Sequence, residues 1–198
     1  MNNQIMILTF LVFCSSVFVQ SEDAKISING RVISQINKKP VNDCLLKIKG
    51  TQYAEITDSL GRFTLSQLNQ NSTYTISLLA FGYISYDTTV TITADFNQEL
   101  NIILYADCPV DAKIAQDDIM KGKQRLLIVG SIAPIANTYK DDEFEKRFGI
   151  EYFDFGCTPP AGACIEEYNK VIFQYLNRKF GNNWKKSVRK DVCFLNIE

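Results

Sequence analysis

Histidine is absent from all 198 residues. Without imidazole there is no Ser-His or Cys-His catalytic pair and no His-ligated zinc, so most hydrolase mechanisms fall away at once. An excess of either charge is lacking too, with 21 basic residues against 22 acidic. That balance gives the chain no overall attraction to nucleic acid or to a membrane surface. Long apolar runs are scarce. Residues 5–19 form the clearest one, and their roughly fifteen positions fall short of the ~20 that a membrane-spanning helix needs. The run fits instead the apolar region of a secretory leader, with small Ser21 before the cleavage point. The expectation is a leader over residues 1–21, no integral membrane span once it is removed, and an exported protein of the periplasm, the outer-membrane surface or the medium. A retained anchor is the alternative. A lipid anchor on Cys14 is disfavoured, because Phe13 stands where a small residue is wanted.

After such cleavage five cysteines remain: Cys44, Cys108, Cys157, Cys164 and Cys193. The number is odd, so at least one is free or bonds another chain. Disulfides are open to an exported protein, but spacing alone does not fix their pairing.

From residue 25 to 105 the sequence alternates with period two between turn signals. Ile26, Ile28 and Val32 alternate with polar neighbours, and Cys44, Leu46 and Ile48 do the same, which puts Cys44 in a core as a small apolar residue. Further strands read YAEIT, RFTL, TYTISLLA, TTVTIT and ELNIILY. About seven short strands with turns between them predict an all-β antiparallel sandwich. In TDSLGRF, Asp58 and Ser59 can bond the backbone of a tight turn, and Gly61 can take a positive φ. A single carboxylate makes no calcium site, which wants six or more oxygens. The sequon Asn71-Ser72-Thr73 reads as a polar turn.

The succession I-N-G-R-V, K-P-V-N-D-C-L-L-K-I-K-G, T-D-S-L-G-R-F-T-L and F-G-Y resembles the carboxypeptidase regulatory-like domain. It rests on Gly30, Val32, Pro40, Val41, Gly50, Thr57, Asp58, Gly61, Phe63, Gly82 and Tyr83. The resemblance implies a transthyretin-like β-sandwich over residues 22–107. Such domains follow metallocarboxypeptidase catalytic domains and stand at the front of many outer-membrane receptors of Bacteroidetes-type bacteria. It implies a folding, spacing or docking module and no carboxypeptidase activity, since peptidase zinc ligands include histidines.

Residues 108–198 have a different texture and predict a small α+β domain. An apolar run at 126–129 reads as a buried strand, DDEFEKRFGI as a short helix stopped by Gly149, and EYFDF as another strand. Ile165, Tyr168, Val171, Ile172, Tyr175, Leu176 and Phe180 form a helical stripe capped by Gly181. Trp184, Val188 and Val192 recur every four residues and predict a second C-terminal helix. Between strand and helix lies FDFGCTPPAGAC. Its D-F-G lacks the kinase context of a catalytic loop, and its two cysteines are spaced too widely for a zinc or redox motif. A stiffened turn remains, which Cys157 and Cys164 can close as a disulfide, while Cys108 and Cys193 bracket the unit and can form a second. Reduced cysteines are the alternative in each case.

The polar residues that invite a binding role are Asp154, Tyr168, Asn169, Arg189 and Asp191, with Asp154 and Arg189 able to form either a polar site or a salt bridge. Residues 178–190 carry six basic side chains and no acid, a solvated helix face that the acids of residues 141–145 can neutralise. No cofactor or metal motif is present. The reading is a non-enzymatic exported envelope protein that docks an envelope protein or glycan and no nucleic acid. The alternative is a small histidine-free hydrolase using a carboxylate such as Asp154 or a thiol such as Cys164.

Overall fold

The computed structural model describes residues 25–130 and 138–195; the expected leader at 1–21 lies outside them. Seven strands come first: β1 (Lys25–Ser34), β2 (Leu45–Ile48), β3 (Ala54–Ile56), β4 (Arg62–Asn69), β5 (Ser72–Leu79), β6 (Tyr86–Ile92) and β7 (Leu100–Leu104). They form two sheets, ordered β4-β1-β7 and β3-β2-β5-β6. All pairings are antiparallel except β1 with β7, which run parallel. The period-two pattern does what it promised, because successive side chains point to opposite faces. Ile28, Val32, Cys44, Leu46 and Ile48 are all buried between the sheets, joined by Leu65, Ile76, Leu78, Ile92 and Leu104. Burial pushes the Cys44 thiol up to about 11, while a backbone bond from Leu79 works the other way.

The turn before β4 is built as its sequence suggests. Asp58 Oδ1 accepts from Leu60 N at 2.8 Å and Arg62 N at 2.8 Å, and Arg62 Nε reaches Oδ2 at 3.0 Å. Gly61 has φ 69°, and a side chain there would meet Val32 O at 2.4 Å. The open edge of β4 is also guarded. Asp58 N–H donates to Arg62 O at 2.9 Å, and Ser66 N–H donates to the Tyr53 hydroxyl at 2.8 Å. Capping an edge in this way withholds it from another chain's strand.

The second unit has its own core. Helix α1 (Ala112–Met120) is followed by β8 (Arg125–Ile128), α2 (Tyr139–Phe148), β9 (Glu151–Asp154) and the long α3 (Gly162–Phe180). Strands β8 and β9 pair in parallel, with α2 in the connection between them. Leu126, Leu127 and Ile128 are fully buried under Ile165, Tyr168, Ile172 and Leu176 of α3. Helix α2 ends at Gly149 in the left-handed conformation, as expected. Helix α1 adds an element to those expected; it buries Ala115 and packs Ile114 and Ile119 against the second core.

The expected second C-terminal helix is corrected. Residues Gly181–Lys186 form a single stretch of 3-10 helix, and Val192 then bridges to Ile128 beside β8. Trp184, Val188 and Val192 are buried as the four-residue spacing required. They are carried inward by a tight turn and a strand-like bridge, and periodicity over so short a segment does not distinguish these from a helix.

The disulfide expectation is corrected as well. The bond joins Cys108 to Cys164, with Cα atoms 5.5 Å apart. Cys157 is exposed and free, Cys193 half-buried and free, and Cys44 buried and free. Cys164 faces inward from the first turn of α3 and Cys157 outward from the loop before it, so neither Cys157–Cys164 nor Cys108–Cys193 forms. The proline pair stiffens the turn without a staple.

Candidate functional site

The five polar residues singled out from the sequence are engaged inside the second unit. Asn169 is fully buried: its Oδ1 accepts from Leu127 N at 3.0 Å, and its Nδ2 donates to Leu127 O at 3.0 Å and Cys193 O at 2.9 Å. One side chain thereby supplies the backbone partners that β8 would otherwise lack. The Tyr168 hydroxyl donates to Asp118 Oδ2 at 2.7 Å, and the Arg125 guanidinium reaches the same oxygen at 2.8 Å while lying over the Tyr168 ring. Burial pushes the Tyr168 hydroxyl up to about 12, helped by the bond to Asp118. Burial alone would raise the Asp118 carboxyl, but the bonds from Tyr168 and Arg125 outweigh it and hold the group below its ordinary value.

Asp154 and Arg189 do not meet. Asp154 Oδ1 accepts from Gly130 N at 2.7 Å and Gly156 N at 2.8 Å, tying the ends of β8 and β9. Arg189 pairs with Asp191 at 2.7 Å and with Asp141 at 3.4 Å, so the α2 acids do neutralise part of the basic stretch. Cys164, lying in a disulfide, offers no thiol nucleophile. Among the described residues no group of three or more Cys, Asp or Glu is placed to hold a metal ion. No described helix is long and apolar enough to cross a membrane.

What the structure assembles lies at the joint between the two units. Several contacts among the described residues hold that joint. The disulfide fastens the end of the sandwich to α3. Glu166, 8% exposed on α3, accepts from Asn37 Nδ2 at 2.9 Å and pairs through its other oxygen with the Lys39 ammonium, both from the β1–β2 loop. Gly82, with φ 78°, lies so close to the loop before α3 that a Cβ would stand 2.2 Å from Ala161 N. Beside it Tyr83 packs against both cores. Burial raises its hydroxyl, partly offset by the Ser34 hydroxyl.

Over this joint opens a cleft of about 440 Å³, walled by Pro40, Val41, Phe81, Tyr83 and Phe194 and floored by the Lys39–Glu166 pair, with Asn42 and Asp43 at its side. Phe81 is 68% exposed. An exposed aromatic at a concavity that also carries polar groups is a candidate contact point. A second groove, about 640 Å³, runs along the guarded edge of β4 and is lined by Glu55, Asp58, Arg62 and Glu99.

Residues 28–108 match the family model of the CarboxypepD_reg-like domain. The match ends at Cys108, the residue that the disulfide ties to α3. Two of the motifs that identify the domain, K-P-V-N-D-C and F-G-Y, supply most of the cleft's first wall. The regulatory-like domain thus brings the framework, and residues beyond 108 complete the site.

Solved structures with some similarity include a chain of a type II cohesin–X-dockerin complex from Acetivibrio cellulolyticus, at 16% identity, covering 56% of this chain and 80% of that one with a TM-score of 0.36. Another is 3-chlorocatechol 1,2-dioxygenase from Rhodococcus opacus, at 14% identity, 45% and 62% coverage and a TM-score of 0.36. The Bacillus anthracis TIE protein matches at 9% identity, 56% and 19% coverage and a TM-score of 0.34. Likeness at this level carries no functional argument. No curated protein matches the chain.

None of the cleft residues was singled out for function by the sequence reading. The signal was an aromatic, Phe81, at a position that the strand alternation does not explain, next to a glycine with a required positive φ.

Proposed function

We propose that the protein is a non-enzymatic exported docking module of the cell envelope and that the cleft between its two units is where a partner is held. The observation that carries this is Phe81, 68% exposed at the rim of a concavity whose walls are locked in place by a disulfide and a buried carboxylate clamp. An exposed aromatic on a rigid frame costs little conformational entropy to immobilise, which is what an anchor residue needs. A disulfide that ties the two units favours an oxidising compartment, in keeping with export. The framework is a CarboxypepD_reg-like domain, whose resemblance implies docking or spacing without catalytic residues.

The test is retention of purified full-length protein on isolated cell envelopes, compared with Phe81→Ala. The side chain is exposed, so the variant should fold with an unchanged circular dichroism spectrum. Retention that falls at least tenfold supports the cleft as the docking site. Equal retention of the two proteins, or none by either, refutes it.

A further inference from the structure

We infer that the cleft's occupant is a neutral saccharide of the envelope, one pyranose ring stacked on Phe81 with its hydroxyls reaching Lys39, Asn42 and Asp43. This rests on the cleft being the docking site and adds the chemistry of what it holds.

Several polar atoms of the cleft remain open once its internal hydrogen bonds are assigned. Lys39 gives one ammonium N–H to Glu166 and keeps two, with its side chain 49% exposed. Asn42 Nδ2 donates to Asp43 Oδ2 at 2.8 Å. That bond leaves Asn42 Oδ1 and Asp43 Oδ1 as acceptors and one Asn42 N–H as a donor. Both residues are exposed in the cleft. The cleft therefore presents donors and acceptors side by side on short, planar or charged groups. An anionic ligand would meet Asp43 and Glu166, and a cationic one would meet Lys39. A hydroxyl both donates and accepts, so a neighbouring pair of hydroxyls matches such a mixture without introducing a net charge.

The apolar half points the same way. A pyranose presents one flat face of C–H groups whose slight positive charge suits the negative face of an aromatic ring. Phe81 is largely exposed, and Tyr83 and Phe194 line the same cleft. At about 440 Å³ the space lies within the ~300–1,000 Å³ range of small-ligand sites. A peptide backbone also donates and accepts, and it is the alternative occupant that the protease arm below detects.

The experiment titrates cellobiose, and separately the disaccharide of N-acetylglucosamine, into isotope-labelled full-length protein and follows backbone amide shifts. Expected are saturable shifts at residues 39–43 and 80–83 with at least one sugar, weakened tenfold or more in Phe81→Ala and several-fold in Asp43→Ala. Absence of saturable shifts at those positions with both sugars, or binding that Phe81→Ala leaves intact, overturns the saccharide assignment. Envelope retention separates the two failures. If retention depends on Phe81 and is abolished by protease treatment of the envelopes while both sugars fail to bind, docking stands and its occupant is a protein. If retention is independent of Phe81, the docking reading falls together with the saccharide.

Discussion

Removing the Cys108–Cys164 bond is the most informative perturbation of the joint. The two residues are 56 apart in sequence, and loop-closure entropy for that separation gives about 4 kcal/mol of stabilisation at 25 °C. Urea unfolding followed by circular dichroism should show Cys108→Ala/Cys164→Ala less stable than the parent by this amount, roughly a thousandfold in the folded-to-unfolded ratio. For a chain of this size the melting temperature should drop by about 8–16 °C. Wild-type protein unfolded under dithiothreitol is the necessary companion, because it breaks the same bond without leaving a void at the buried Cys164. The two measurements should agree. Cys157→Ala should change nothing, since that thiol is exposed and unpaired. Had the bond linked Cys157 to Cys164, the loop would be about eight residues and its contribution about 2.5 kcal/mol. A loss under about 1 kcal/mol for the double variant, or an equal loss for Cys157→Ala, would mean that the Cys108–Cys164 bond does not restrain the unfolded chain.

Asn169→Leu should cost about 3 kcal/mol in urea unfolding, because it strands the Leu127 N–H and the Leu127 and Cys193 carbonyls in the core; a cost below 1 kcal/mol would mean that these groups find water. Gly82→Ala should destabilise by about 2 kcal/mol or more, since φ is 78° and the new Cβ would strike the Ala161 backbone; limited proteolysis at the joint should accelerate, and an unchanged rate would argue against this contact. The Tyr168 hydroxyl titrates at about 12 when folded, against the ordinary 10. A raised folded value means stability is fully present below pH 10 and is lost as pH rises toward 12, and Tyr168→Phe should flatten that alkaline decline while lowering stability slightly at pH 8. Asp118 is shifted the opposite way, so its contribution is present above the ordinary carboxylate range and lost as pH falls below it. Asp118→Asn should be less stable at neutral pH and lose less on acidification, and parallel acid curves for the two proteins would rule this out.

How far the sequence could be read differs between the two units. The sandwich was legible because every strand but β3 buries one face. Cys44, Leu46 and Ile48 could point inward only if the segment were extended, and the Asp58–Gly61 turn declares itself through local bonds. The second unit was legible where the stripe was long, as along α3, and failed where segments were short. Residues 182–192 show a four-residue spacing that a tight turn and a bridge satisfy as well as a helix, and α1 spans only nine residues with Ala115 its one fully buried side chain. Of the candidate residues, Asp154, Tyr168, Asn169 and Arg189 drew notice as polar groups near apolar ones. The fold uses them as internal partners for β8, Asp118, Asp141 and neighbouring amides.

Taken alone, the chain determined two things. The absence of histidine removed whole classes of chemistry, and local periodicity with turn residues set the strands of the regulatory-like domain and the long helix behind it. Both depend only on residue type and near-neighbour spacing. Which cysteine pairs with which, and the meeting of Lys39, Asn42, Phe81, Glu166 and Phe194 around one cleft, were decided by the docking of two units. Those partners lie up to about 155 residues apart, and no local pattern encodes a contact that exists only once two separately formed cores are pressed together.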